Sequence, residues 1–227
     1  MEVPNPLTLE EKVSITRLIG HDILSQHGRI FQPEEDQRVA YARHLHVRYA
    51  MIAIRTLTQD GDCFYLSSKV NDNFDMMQRV FEGDRRNLSI ELNTNEEKLF
   101  GDKHILYMAV YNLAKNGFDA MRGKGTVTLT VSEHLGGRIE YPIFIPLGAK
   151  DHGYFIKYDV HDTGEGFPAD KPTTDSLQLG ATTRPMGTGF GLHFAKLVSK
   201  YLQAPLAITS EPGNTHVTLY HPVSLGR

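Results

Sequence analysis

The sequence predicts an α-helical hairpin over residues 1–60, which pairs into a dimeric four-helix bundle, followed by an α/β two-layer sandwich over residues 61–227. Helical periodicity dominates the first part. Helices and alternating strands are mixed after the turn signal at residues 59–62. The chain of 227 residues is long enough to bury a core in a larger second domain.

The first helix is predicted to begin at a capping box. Thr8 and Glu11 have the spacing at which each side chain accepts a hydrogen bond from the backbone N–H of the other. Helical periodicity then continues to about Phe31, and Pro33 interrupts it. One apolar stripe along this helix contains Ile15, Ile19, Ile23 and Ile30.

A second helix is predicted after the acidic residues 34–36 and runs to about Thr58. Its common face is predicted to contain Ala42, Leu45, Tyr49, Ile52 and Thr56. A lone hairpin would leave its apolar stripe in water. We therefore expect two copies to form a homodimer through a four-helix bundle.

The pattern beyond residue 62 mixes helices with strands. Helices are predicted over residues 69–84, 102–122 and 191–203. Strands are predicted over residues 87–92, 127–131, 141–145, 154–160, 207–209 and 216–220. A turn at residues 211–214 separates the last two strands.

Composition narrows the class of protein. A formal net charge of −3 gives no indication of nucleic-acid binding. Cys63 is the single cysteine, so an internal disulfide framework is excluded. No apolar run approaches the roughly 20 residues needed to cross a bilayer. The N-terminus lacks a signal-peptide core. We therefore expect a cytoplasmic location and no membrane insertion by this chain.

Two asparagines lie in the helix predicted over residues 102–122. Asn112 and Asn116 are four residues apart, so both carboxamides lie on one face, one turn apart. Carboxamide oxygens are neutral donors that suit Mg²⁺, which keeps waters and phosphate oxygens among its ligands. The spacing favours a metal and phosphate site on this helix.

Two glycine motifs follow the asparagines. Asp162 ends an apolar strand, where its carboxylate can accept from the exocyclic amine of adenine, and Gly164 and Gly166 let the backbone approach a ligand. A denser motif contains Gly187, Thr188, Gly189, Gly191 and Leu192. This motif opens a helix, whose free N–H groups and dipole favour phosphates. The order and spacing of the three motifs predict one nucleotide pocket.

Together these residues resemble the ATP-binding domain shared by histidine kinases, DNA gyrase, Hsp90 and the DNA mismatch-repair ATPases. Residues 112–120 match the asparagine box of that family. Residues 162–166 match its first glycine box, and residues 187–192 match the second. The resemblance covers about residues 62–223.

The resemblance assigns roles to several residues. It implies that ATP and Mg²⁺ are bound, with Asn116 as the metal ligand and Asp162 as the adenine-binding residue. It also implies that residues 167–186 form a mobile lid. Thr183 belongs to a Thr-Thr-Arg sequence that is similar to the Thr-Thr-Lys sequence near the end of that lid.

One position distinguishes branches of the family. The ATP-hydrolysing members resemble one another in a Glu four residues before the metal-binding Asn, and this chain has Asn112 there. An amide cannot take a proton, so efficient activation of water is not expected. Asn at this position is similar to the histidine kinases, in which the phosphoryl group leaves for an imidazole on another domain.

His21 is the candidate nucleophile in the hairpin. On a helix it projects roughly 160° from the isoleucine stripe, and Asp22 follows it directly. Residues 21–26 resemble the phosphoacceptor box of histidine kinases, where a carboxylate orients the neutral imidazole and accepts its proton. His44 and His46 are two residues apart and face different directions on a helix, which argues against a metal pair.

The sequence therefore predicts a protein histidine kinase that phosphorylates His21 and passes the phosphoryl group to an Asp of a response regulator. The signal would come from a separate sensor or from a part outside this chain. Two alternatives stay open. One is a phosphotransfer protein of this architecture that does not use ATP, and the other is an anti-sigma-type Ser/Thr kinase.

Overall fold

The computed structural model describes residues 7–13, 16, 20, 37–58, 64–67, 71–83, 86–95, 98–122, 125–167, 177–178 and 191–223. The helices among them are α1 (Gln37–Thr58), α2 (Asn71–Gly83), α3 (Lys103–Ala120) and α4 (Gly191–Leu202). The strands are β1 (Phe64–Ser67), β2 (Asn87–Asn93), β3 (Lys98–Gly101), β4 (Thr126–Arg138), β5 (Pro142–Phe144), β6 (His152–Asp162), β7 (Leu206–Glu211) and β8 (Asn214–Pro222). Residues 9–13 are also helical.

Six strands form the main sheet, in the order β2-β4-β6-β8-β7-β5. β2 runs parallel to β4, and the other neighbouring pairs are antiparallel. β1 and β3 form a separate antiparallel pair, which a bridge between Leu99 and Val223 joins to the residue that follows β8. The predicted α/β sandwich is confirmed, with a mixed sheet as one layer.

The core lies between the sheet and the helices. Alternate residues of the central strands enter it, and Val127, Leu129 and Val131 of β4 are fully buried as the alternation predicts. α3 is buried all round over residues 105–114, as expected for a helix held between a sheet and other helices. The opposite face of the sheet carries a smaller cluster of Ile139, Phe155, Ala207 and Tyr220.

The capping box at the start of the first predicted helix is confirmed. The backbone N–H of Thr8 donates to Glu11 Oε2 at 2.7 Å, and that of Glu11 donates to Thr8 Oγ1 at 3.2 Å. Both Glu11 carboxylate oxygens also accept from Lys200 Nζ of α4, at 3.0 and 2.9 Å. The turn between the two predicted hairpin helices, residues 32–36, lies outside the described residues.

The helix α1 ends at Thr58 as predicted. Among its described side chains, the fully buried ones are Arg43, His46, Ala50 and Ala53. On the predicted face, Ile52 is 36% exposed and Tyr49 is partly buried against the core, and the side chains of Ala42, Leu45 and Thr56 lie outside the described residues. α1 packs against α2 and α3. The buried side of α1 thus contains two large polar side chains as well as two alanines, which apolar periodicity alone does not predict. Pairing of two copies into a four-helix bundle stays a prediction.

The predicted strand over residues 141–145 is wrong at both ends. β5 covers only Pro142–Phe144. Tyr141 has a left-handed backbone with φ of 51° and is 68% exposed, and Ile145 is 37% exposed. The apolar alternation in this segment therefore does not reflect a half-buried strand, because the segment is a short edge strand between two turns.

Candidate functional site

The helix α3 carries the two asparagines, and its N-terminus is tightly capped. Asp102 Oδ1 accepts from the backbone N–H groups of His104 and Ile105, at 2.7 and 3.3 Å, and lies 2.8 Å from the His104 Nδ1. Burial acts to raise the pKa of Asp102, but the hydrogen bond and charge of His104 with the two N–H groups lower it overall. Asp102 therefore caps the helix as a carboxylate, which suits the positive end of the helix dipole.

Asn112 lies inside the protein at the middle of α3. Its side chain is 7% exposed, and Nδ2 donates to the backbone carbonyl of Met108 at 2.8 Å. This bond fixes the carboxamide against its own helix. An amide held in this way offers no group that takes up a proton in the pH range of proteins.

Asn116 meets the first residue of α4. A Cβ placed on Gly191 would lie 2.2 Å from Asn116 Oδ1 and 2.3 Å from Nδ2. These distances are far below van der Waals contact, so only glycine at residue 191 leaves room for this carboxamide. The asparagine box and the second glycine box are thus in direct contact, as the sequence predicts for one pocket.

Asp162 also contacts α3, at Gly117. It is 5% exposed at the end of β6, and its Oδ1 accepts from the backbone N–H of Gly164 at 2.9 Å. A Cβ on Gly117 would lie 3.1 Å from the Cβ of Asp162. The sequence analysis did not single out Gly117, although its place directly after Asn116 is a signal for close approach.

The first glycine box is a turn pinned between α3 and the β7–β8 hairpin. A Cβ on Gly164 would lie 2.6 Å from the Cβ of Ala120, and the carbonyl of Gly164 accepts from the backbone N–H of Gly213 at 2.8 Å. Gly166 has φ of 73°, in the left-handed region that favours glycine. Both predicted glycines therefore have a steric reason to be glycine.

Two hydroxyl residues complete this corner, and the sequence analysis missed them. Thr215 on β8 pairs with Asp162 across the sheet and is 3% exposed. Ser210 Oγ accepts from the backbone N–H of Phe167 at 2.9 Å and lies 2.9 Å from Thr215 Oγ1. The available signal was the pair of small hydroxyl residues on either side of the turn over residues 211–214.

Several predicted site residues lie outside the described residues. They are His21, Asp22, Thr183, Gly187, Thr188 and Gly189. Leu192 lies in α4, partly buried against the main core. The described part therefore brings Asn116 against Gly191, and Asp162 and Gly164 against the last turn of α3.

Among the described residues, no group of three or more His, Cys, Asp or Glu side chains has the arrangement of a metal site. The carboxamide oxygens of Asn112 and Asn116 are the donors that fit Mg²⁺, which needs few protein ligands when phosphates supply the others.

No helix in the described part is long and apolar enough to span a membrane.

Two solved structures share this fold, and a third gives a weaker match. The catalytic domain of the histidine kinase ThkA has 14% identity and a TM-score of 0.53, with 70% of this chain and 96% of that chain covered. Full-length ShkA in complex with AMPPNP has 14% identity and a TM-score of 0.53, with 97% of this chain covered. This chain spans about half, 47%, of the ShkA chain. The mycobacterial sensor histidine kinase MprB has 17% identity and a TM-score of 0.48, with 71% and 99% of the two chains covered.

Sequence comparison gives the family. No curated protein matches the chain in sequence. The profile of the family described as "Histidine kinase-, DNA gyrase B-, and HSP90-like ATPase" matches residues 101–225. This match covers more than half of the 227 residues and contains every motif of the pocket. The chain belongs to the histidine kinase-, DNA gyrase B- and HSP90-like ATPase family.

Proposed function

We propose that this protein is an ATP- and Mg²⁺-dependent protein histidine kinase of a two-component system. It phosphorylates His21 and passes the phosphoryl group to an Asp of a response regulator. The observation that carries the proposal is Asn112, which occupies the place of a general base and cannot act as one. The second line of support is the family match over residues 101–225.

The surroundings of Asn112 argue against hydrolysis as the main reaction. Its amide is 7% exposed and bonded through Nδ2 to the carbonyl of Met108. Water attacking a γ-phosphate would need a proton acceptor at this point of the pocket. A nucleophile that brings its own base avoids that need, and an imidazole followed by a carboxylate does so.

In this proposal the adenine base lies at the corner formed by Asp162, Gly164 and Gly166. Asp162 accepts from the adenine amine, and Gly164 and Gly166 bring the backbone close to the base. Asn112 and Asn116 face the phosphates with Gly191 at the start of α4, whose N–H groups favour negative charge. Asn116 would hold a Mg²⁺, and the ion would supply positive charge beside the nucleotide phosphates.

The proposed phosphorylation step uses two residues of this chain, His21 as the nucleophile and Asp22 as the proton acceptor. A ring nitrogen of neutral His21 donates its lone pair to the γ-phosphorus, and the bond from that phosphorus to the oxygen of ADP breaks. ADP leaves with the electron pair of that bond. Asp22 accepts the proton of the phosphorylated imidazole, and the phosphoryl group then moves to a carboxylate of the response regulator.

The helical region of residues 1–60 completes the proposal. We assign to it dimerisation and the phosphoacceptor, and to residues 61–227 the binding of ATP. Two contacts with the ATP-binding layer support a working connection between these regions. One is the ion pair of Glu11 with Lys200, and the other is the packing of α1 against α2 and α3.

Autophosphorylation with γ-labelled ATP tests the proposal. The protein is expected to acquire label that acid removes and base does not, which is the behaviour of a phosphoramidate. His21→Gln should lose the label, and His27→Gln serves as the matched control that keeps it. Acid-stable label would instead support the Ser/Thr kinase. Failure of the wild-type protein to bind Mg-ATP would support the phosphotransfer protein that does not use ATP.

A further inference from the structure

A helix of the predicted hairpin shares its core with the asparagine-bearing helix. The buried face of α1 contains Arg43, His46, Ala50 and Ala53, each 0–2% exposed. These residues recur at intervals of three and four, as one side of a helix does. α1 is therefore packed against α3 along this face rather than standing apart from it.

The centre of this contact is polar. His46 Nδ1 and the hydroxyl oxygen of Tyr107 on α3 are 2.7 Å apart, and the two residues are 0% and 1% exposed. The His46 ring also lies 4.2 Å from the ring of Tyr111, one turn further along α3. Because both residues are buried, water does not compete for this hydrogen bond, and its energy depends closely on the position of α1 against α3.

Tyr49 extends the contact toward the start of α3. Its ring lies edge-on to His104 at 4.5 Å and to Tyr107 at 5.5 Å. Lys103 Nζ lies 6.0 Å from the centre of the same ring. α1 thus contacts residues 103, 104, 107 and 111 of α3, which form one stripe over more than two turns. Such a stripe fixes both the rotation and the axial position of the helix.

The nucleotide side of α3 has little tolerance for displacement. Asn116 lies against Gly191, where even a methyl group would be 2.2 Å from its carboxamide oxygen. Gly117 approaches Asp162 with similarly little space, since an added Cβ would lie 3.1 Å from the Cβ of that residue. Because the contact with Asp162 restrains α3 at Gly117, a displacement imposed at Tyr107 and Tyr111 is taken up between these points and reaches Asn112 and Asn116.

We propose that His46 is a positioning residue for the metal end of the nucleotide site. Its hydrogen bond to Tyr107 holds α3 where Asn112 and Asn116 meet the Mg²⁺ and phosphates, and this gives the hairpin a direct means to alter ATP binding. The inference rests on the proposed binding of Mg-ATP by these asparagines. It adds the residue through which α1 acts on that site.

Tyr107→Phe tests the inference because it removes one hydroxyl group and keeps the ring. The quantity to measure is the ratio of the ATP dissociation constant in EDTA to that in Mg²⁺. We expect this ratio to fall about five- to tenfold, since one buried hydrogen bond to the helix is lost. ATP affinity in EDTA should change by less than about twofold. A role confined to stability would move both constants together.

Three variants serve as controls. Tyr220→Phe removes a hydroxyl from a tyrosine that is 9% exposed in the cluster on the other face of the sheet, and it should keep the wild-type ratio. His46→Asn keeps a polar atom near the position of Nδ1 and should retain most of the ratio. His46→Leu removes that atom and should behave as Tyr107→Phe does.

The outcomes are distinct. A wild-type protein that binds ATP equally with and without Mg²⁺, or not at all, overturns the proposed site and this inference with it. A normal wild-type ratio that Tyr107→Phe leaves unchanged overturns the inference alone. Equal losses of affinity in EDTA and Mg²⁺ also overturn it. Loss of the ratio in Tyr107→Phe and His46→Leu, with retention in His46→Asn, supports it.

Discussion

The two sides of α3 differ in the size of the residues that pack there. On the side toward α1 and α2, aromatic rings fill the space, and Tyr111 stacks on Phe81 with centroids 5.0 Å apart. On the side toward the nucleotide, glycines keep space open, and Gly117 and Gly191 lie where a methyl group would not fit. Asn112 and Asn116 belong to the second side.

This difference separates stability from function along a single helix. Large apolar rings contribute most of their free energy by leaving water, and they do so without any ligand. Glycines contribute nothing of that kind and cost conformational entropy on folding. Their presence next to the carboxamides is explained by the close approach that the pocket needs. The ring side should therefore control unfolding and the glycine side should control binding.

The largest expected effect is on the ring side. Phe81 is 1% exposed and contacts both Tyr111 and Phe118. Phe81→Ala should lower the free energy of unfolding by about 3–5 kcal/mol, because it removes a large buried ring and leaves a cavity. Urea unfolding measures this quantity. Leu135→Ala is the control, since Leu135 is 75% exposed and its loss should cost under about 0.5 kcal/mol. Equal effects of the two variants would refute the assignment of the ring side.

A smaller effect, of a different kind, is expected on the glycine side. Gly191→Ala puts a Cβ 2.2 Å from Asn116 Oδ1, so the carboxamide must move. Affinity for Mg-ATP should fall by about 1–3 kcal/mol, or roughly 5- to 150-fold, as overpacking displaces the side chain. The free energy of unfolding should change by less than about 1 kcal/mol, because the atoms displaced are the end of a flexible side chain.

Gly20→Ala is the matched control for this glycine. A Cβ on Gly20 meets no atom within 4 Å. The affinity of the Gly20→Ala variant for Mg-ATP should therefore equal that of the wild-type protein in isothermal titration calorimetry. If Gly191→Ala binds Mg-ATP normally, the contrast between the two sides of α3 does not hold, whatever the variant does to unfolding.

The smallest effect concerns the opposite end of α4. Burial acts to raise the pKa of Glu11, but the hydrogen bond from Lys200, the backbone of Thr8 and the Lys200 charge lower it below 4.5 overall. Because the folded-state pKa is the lower one, the stabilisation is fully present above pH 4.5 and is lost as pH falls through the folded value. Glu11→Gln keeps the capping box and removes the charge.

This variant should lose about 0.5–1 kcal/mol of unfolding free energy at pH 7 relative to the wild-type protein, and almost nothing at pH 3. Urea titrations at the two pH values give the difference. Glu10→Gln changes an exposed neighbour and should leave the free energy of unfolding at pH 7 within about 0.5 kcal/mol of the wild-type value. A Glu11→Gln difference that stays constant between the two pH values would mean that the ion pair with Lys200 contributes nothing.

Much of the fold follows from local patterns. The helix predicted over residues 102–122 is α3, and the one predicted over residues 191–203 is α4. The capping box of Thr8 and Glu11 forms with both of its hydrogen bonds. Periodicity and capping act between residues within one turn, so sequence reasoning reaches them. The four-residue strands β1 and β3 were not predicted because they are too short for a period to be read.

The candidate site also contains residues that the sequence predicts and residues that it does not. Asn116, Asp162 and Gly191 could be found because each belongs to a short motif with a characteristic spacing. Ser210 and Thr215 were missed since a serine and a threonine beside a turn are common, and only their contact with Phe167 and Asp162 gives them a place in the site.

The sequence by itself determined the type of most elements, the order of the three nucleotide motifs and the absence of a carboxylate at residue 112. The tertiary structure alone decided which face of α1 is buried and that His46 meets Tyr107, 61 residues away. The physical reason is the distance along the chain over which each kind of interaction acts. Periodicity, capping and glycine spacing act over a few neighbouring residues, whereas contacts between distant residues depend on how whole surfaces fit when the core closes.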